Sequence, residues 1–195
     1  LLREGLPPHG GRRMGNHLSY REEVIRAMEL LAQDPRVVVL GQGVRYPCAV
    51  GLLDTLECFP ESRRIELPIM EDCQMGMCLG LFFEGFIPLS VYSRMDFLIL
   101  SLGQLCLHLD KWEAMSHGLW QPRVIIRTSI GPKRPLDGGP QHTGDYTQAL
   151  RLMLPNIDVV KLETAEEIVP AYRQALEGPR PTILVEDGEA MRHSV

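Results

Sequence analysis

Basic charge is in short supply in this chain. Lysine and arginine number 20 against 25 aspartates and glutamates, giving a net charge of −5 with no basic stripe. That argues against a nucleic-acid partner. Long hydrophobic runs are missing as well. Every apolar stretch is broken by Gly, Pro or charge well short of the ~18 residues that a membrane span needs. The five cysteines (Cys48, Cys58, Cys73, Cys78, Cys106) contain no C-x-x-C spacing, so no metal site is expected. An odd number of thiols in apolar surroundings reads as reduced core cysteines and a cytoplasmic protein. The chain also lacks G-x-x-x-x-G-K-[ST], G-x-S-x-G and H-E-x-x-H. Gly41-Gln42-Gly43 follows a strand pattern but lacks the third glycine of a dinucleotide fingerprint.

What is present suits one globular domain. The 195 residues are 45% hydrophobic, enough for a sizeable core. Residues 1–16 differ from the rest: they are aperiodic and rich in Gly, Pro and Arg. They read as a disordered or non-native extension ahead of a natural start at Met14. Residues 17–195 then form a single domain.

From Tyr20 onward helical and strand patterns alternate. Helices are expected over 20–33, 71–85, 96–116, 146–154 and 164–176, and strands over 36–40, 64–67, 87–92, 124–127, 158–162 and 182–186. Ser19 with Glu22, and Thr164 with Glu167, have capping-box spacing. Short strands rich in β-branched residues, alternating with helices, imply parallel pairing through right-handed crossovers. The fold class is therefore α/β, a sandwich around a mostly parallel sheet of about six strands. Ligands bind such sheets beyond the carboxyl ends of the strands. Glu71, the 92–97 segment and the 127–143 loop all follow strands on that edge.

Glu71 is the first candidate. It opens an apolar helix with no further charge between Met75 and Phe83. Either it serves the helix terminus, where the dipole favours an acid, or it stands beside a buried ligand for proton chemistry. Gly76 and Gly80 lie one turn apart on that helix, and each costs about 1 kcal/mol against alanine. Close approach of another helix, within the domain or across an interface, is the expected compensation. In Ser93-Arg94-Met95-Asp96-Phe97, Phe97 is either core or a platform for an aromatic ligand. His108 reads as a core or interface histidine. His142, in Gly138-Gly139-Pro140-Gln141-His142-Thr143-Gly144, is either an acid/base or phosphate contact or an exposed loop residue.

Taken in order, these pieces resemble a family. They include 34–41, Pro68-Ile69-Met70-Glu71 with Gly76, Gly80 and Gly85, Gln104 through His108 to Lys111, and Arg127-Thr128 with Gly131. Gln141-His142 and Thr182 through Glu186 complete the series. From about Tyr20 to Arg192 the chain resembles the pyrimidine-binding domain of thiamine-diphosphate enzymes. The nearest likeness is to the beta subunit of 2-oxoacid dehydrogenases. The resemblance implies a three-layer sandwich and thiamine diphosphate as cofactor. It implies that Glu71 hydrogen-bonds a ring nitrogen of the aminopyrimidine and so helps remove the thiazolium proton, which calls for a desolvated carboxyl. It places Phe97, with Met95 beside it, against the aminopyrimidine. It makes His142 a catalytic histidine near diphosphate and substrate.

Departures from the pattern are also plain. Cys73 stands at a glycine position, and Asp72, Gln74 and Met75 replace mostly small or apolar residues. Gly103 stands at an acidic position, and Leu100 at a common glutamine. The family's potassium-binding turn is Gly178-Pro179-Arg180, so no monovalent ion is expected. No G-D-G…N segment is present, and the family's C-terminal domain is missing. The expected protein is thus a pyrimidine-domain subunit acting on a 2-oxoacid. A separate diphosphate-binding alpha-type subunit would hold magnesium, in a dimer or heterotetramer. The alternatives are a non-catalytic homodimeric relative, in a scaffolding or regulatory role, and a fragment of a full beta subunit.

Overall fold

The computed structural model describes residues 18–46, 53–134 and 136–192. The expected extension at 1–16 and Cys48 lie outside them. Six strands form the sheet: β1 Val37–Gly41, β2 Arg64–Glu66, β3 Ile87–Val91, β4 Ile125–Ile130, β5 Asp158–Leu162 and β6 Thr182–Asp187. Their order is β2-β1-β3-β4-β6-β5, and every pairing is parallel.

Helices cover both faces. On one side, α1 (Tyr20–Ala32), α7 (Ala165–Glu177) and α8 (Gly188–Arg192) pack on Val37, Val39, Leu89, Ile125 and Leu184. On the other, α2 (Glu71–Phe83) and α6 (Thr147–Met153) cover Leu40, Ile126, Ile183 and Val185. The alternation of strand side chains between two apolar layers follows from the period of two, and each layer makes its own core.

Both predicted capping boxes form. Glu22 N–H donates to Ser19 Oγ while Ser19 N–H donates to Glu22, and Thr164 and Glu167 repeat the exchange. The expected single helix over 96–116 is broken instead. It comprises α3 (Met95–Leu98), a 3₁₀ turn (Ile99–Ser101), α4 (Leu102–Gln104), a π turn (Leu105–Leu109) and α5 (Trp112–Met115). Ser101 Oγ donates to the Leu98 carbonyl at 2.7 Å, a local bond that competes with the helical ladder. Asp110 follows the π turn and is tied to the loop before β5. Its backbone carbonyl and its carboxylate accept from Asn156 Nδ2 and Asn156 N. Two 3₁₀ turns, Leu53–Leu56 and Glu61–Arg63, had no periodic signal.

Two charged sites brace the strands. Arg127 and Glu186 are wholly buried and form a bidentate pair at 2.8 and 3.0 Å. Tyr172 Oη donates to the same carboxylate at 2.6 Å. Burial, then the Glu186 charge, pushes the Tyr172 hydroxyl well above its ordinary value. At the other end of the sheet, Arg180 donates to the carbonyls of Pro155 (2.6 Å) and Asn156 (3.2 Å) and lies 3.4 Å from the Asp158 carboxylate.

Candidate functional site

In this strand order, β1 connects outward to β2 while β3 connects the opposite way to β4. The carboxyl ends of β1 and β3 therefore flank a topological switch point, where crevices form in open α/β sheets. A crevice lies there, lined by Gln42, Met70, Glu71, Tyr92, Ser93 and Phe97, among others. Its volume is about 10 Å³, close to the room one water needs. Closed ligand pockets run to roughly 300–1,000 Å³.

Glu71 is held at this crevice by two neighbours that sequence reasoning passed over. Gln74 is buried on the same helix and donates to Ser90 Oγ (2.9 Å) and the Val91 carbonyl (3.1 Å). It fastens the start of α2 across the end of β3. Tyr92 Oη donates to the Glu71 carbonyl at 3.0 Å. The N-cap of α2 is Met70, with no side-chain cap. Among the described residues nothing donates to the Glu71 carboxylate, so it is not spent on capping. It is half-buried and faces the crevice.

Phe97 lines the same crevice, and its ring meets that of His142 edge-on at 5.5 Å and 84°. The histidine comes from a tight turn. Gly139 has φ +81°, a conformation that glycine supplies without strain. His142 N–H donates back to the Gly139 carbonyl at 3.0 Å. Asp96 ties this loop to α3 by accepting from Gly144 N and Tyr146 Oη, each at 3.3 Å. His142 Nδ1 is buried without a hydrogen-bond partner, which is rare for such a group. Met95 does not line the crevice. It is fully buried in the same short helix as Phe97, and its Sδ accepts from Tyr146 N. His108 is half-buried on the π turn, away from this site.

Several departures in the sequence find a physical account. Beside Gly103, the Asp72 carboxylate lies 3.5 Å from the place a Cβ would take, an ordinary contact, and accepts from Gln104 Nε2 at 3.2 Å, which ties α2 to α4. A Cβ at Gly76 would meet the Gln104 side chain only at 3.7 Å, an ordinary contact, and among the described residues nothing lies within 4 Å of one at Gly80, so the expected close helix approach is not found at either glycine. In the Gly41-Gln42-Gly43 turn, the backbone N–H groups of Gly43 and Arg45 donate to Glu66. Those amides are committed within the protein, in keeping with discounting a phosphate fingerprint. Cys73 is exposed; Cys78 is buried and its thiol is pushed up to about 12 by burial. Among the described residues no cluster of His, Cys, Asp and Glu is placed to hold a metal, and no helix is long and apolar enough to cross a membrane.

The family model for the transketolase pyrimidine-binding domain matches residues 17–193. The chain belongs to this family. Among its relatives is the pyruvate dehydrogenase E1 component subunit beta of Chaetomium thermophilum, 28% identical over 174 residues. That match covers 86% of this chain and 44% of the relative. The 3-methyl-2-oxobutanoate dehydrogenase subunit beta of Mycobacterium tuberculosis is 26% identical, covering 87% of this chain and 49% of the relative. This transketolase-type domain therefore spans about half the length of the curated relatives it matches. Two solved structures share its fold. A split-gene transketolase described as an inactive beta4 tetramer has a TM-score of 0.64 at 22% identity, covering 88% of this chain and 51% of that one. A Pichia stipitis transketolase variant has a TM-score of 0.65 at 16% identity, covering 88% and 26%.

Proposed function

We propose that the chain is the pyrimidine-binding half of a thiamine-diphosphate enzyme of the 2-oxoacid dehydrogenase kind, completed by a separate alpha-type subunit. The observation that carries this is the convergence of Glu71 and Phe97 on one crevice, with His142 packed against Phe97. The residues suit the cofactor. Glu71 offers a carboxylate that no described protein group engages, placed to share a proton with a ring nitrogen. Phe97 offers an apolar ring face for an aminopyrimidine, and Met95 is buried in the same short helix. His142 Nδ1, buried and unpartnered, is placed to hold a polar group of cofactor or substrate. When bound, thiamine diphosphate would supply a carbon acid whose conjugate base, formed on loss of its proton, adds to a 2-oxo carbonyl. The small volume of the crevice supports a half-site whose remaining walls, and whose magnesium, come from the partner. The free thiols of the described cysteines accord with a cytoplasmic location.

A second reading, a non-catalytic homomeric relative, draws on the uncovered α2 surface at Gly80. Calorimetry with thiamine diphosphate and magnesium, in the presence of the companion subunit, separates the two. Binding is expected, and Glu71→Ala should lower 2-oxoacid turnover by about 10²–10⁴-fold, the usual scale for acid/base groups. Unaltered binding and turnover in Glu71→Ala would remove the role given to that residue.

A further inference from the structure

Arg94 stands three residues after the end of β3, between Ser93 and Met95, and its exposure is only 8%. A guanidinium is rarely buried to this degree without a carboxylate. Arg127 shows how this protein meets that demand, with a bidentate acid. Arg94 has none among the described residues. Its Nη1 donates to the Ser93 carbonyl (2.6 Å) and Ser129 Oγ (3.3 Å), both uncharged. Its Nε and Nη2 meet no acceptor among the described residues. Asp96 is close in sequence, but its two oxygens serve Gly144 and Tyr146.

Positive charge accumulates around this point. Burial, and then the charge of Arg192 on α8, hold the Arg94 guanidinium below its ordinary range, with Asp96 opposing less strongly. A second observation is independent of the arginine. His142 Nδ1 is buried and without a hydrogen-bond partner among the described residues. Gly131 brings the two together. A Cβ there would meet both Arg94 Nε (2.9 Å) and the His142 carbonyl, so the two residues approach the same small patch of backbone. The patch lies on the strand edge that carries Phe97. If Arg94 served only to tie Ser93 to Ser129, a neutral donor would do so without desolvating a charge.

We propose that Arg94 binds the anionic end of the substrate, a carboxylate or a phosphate, beside Gly131 and His142 on the strand edge that also holds Ser93 and Phe97. The inference rests on the proposed function for the meaning of "substrate", but the anion site itself does not need the cofactor. A guanidinium fork matches both anions with two parallel hydrogen bonds, whereas an ammonium offers them only a point charge.

The test uses the chain alone, by thermal melting in sodium oxalate, sodium phosphate and sodium chloride at equal ionic strength. Oxalate or phosphate at tenfold excess over its Kd should raise the Tm by about 3–5 °C relative to chloride. A response to oxalate alone assigns a carboxylate, to phosphate alone a phosphate, and to both a general compact anion. Arg94→Met should lose the response, and Arg94→Lys should keep only part of it. Arg94→Met should also melt no lower than wild type in chloride. The Arg94 Nε–Hε resonance of the unmodified chain provides a readout that no variant's folding can spoil, and it should move on addition of the active anion. Equal melting in all three salts, a full response in Arg94→Met, or a stationary Nε–Hε resonance would each overturn the assignment. None of these outcomes depends on thiamine diphosphate. Failure of the cofactor reading would appear instead in the Glu71→Ala calorimetry.

Discussion

Glu186 is the residue on which most of the sheet's polar interior depends. It accepts from Arg127 twice and from Tyr172, all of them fully buried. Removing one member of such a pair strands a charge in low dielectric, whereas replacing both with apolar groups is often neutral. Glu186→Gln should therefore cost about 3–5 kcal/mol in denaturant unfolding. The double variant Arg127→Met/Glu186→Leu should recover most of that loss. If the single substitution costs under about 1 kcal/mol, the pair is not the brace that its burial suggests. The sequence marked both positions only as parts of a resemblance. The distance of 59 residues between them hides a contact that exists because β4 and β6 are neighbours.

At the level of elements, α2 carries the site and exposes a fault. A side chain at Gly76 would touch Gln104 at ordinary distance, while Gly80 faces open space among the described residues. A methyl group there would strain nothing in this chain, so Gly80→Ala should stabilise it by about 0.5–1 kcal/mol, as helix propensity dictates. The same substitution should weaken assembly at least tenfold if a partner's backbone packs on that surface, which sedimentation would read directly. The elements also show what could be seen in advance. α1 and α7 were legible because caps and apolar period agree over three turns, and α2 because an apolar run without charge follows its acidic first turn. The π turn over Leu105–Leu109 was not, since one widened turn leaves the apolar period intact. α8 escaped notice because five residues are too few to show a period. Glu71, Phe97 and His142 were legible as chemistry placed after strands. Gln74, Tyr92 and Arg94 were not, because each acts through the adjacency of β1, β3 and β4, which is a tertiary fact.

For the whole molecule, the uneven distribution of apolar surface matters most. Phe82, Phe83, Trp112 and Trp120 form a cluster of tilted and edge-on rings with centroids 5.2–6.2 Å apart. Nearby on the chain, Leu107 is 66% exposed and Leu119 81%. We expect a surface of that kind to be covered in an assembly. Leu107→Asp should leave the far-ultraviolet dichroism unchanged and weaken self-association or companion binding at least tenfold in sedimentation velocity. An unchanged association constant would place the interface elsewhere.

The Arg180 clamp has a consequence for the salt in which this protein is handled. Two peptide oxygens and a carboxylate converge on its guanidinium, which gives the turn before β5 a positive charge delivered by the chain itself. A tethered cation cannot be dialysed away, and it does not discriminate between alkali metals. The melting temperature should accordingly stay within about 1 °C when potassium replaces sodium at equal ionic strength, since screening depends on ionic strength alone. Arg180→Ala should lose stability in both salts, and any preference for one metal should emerge only in that variant.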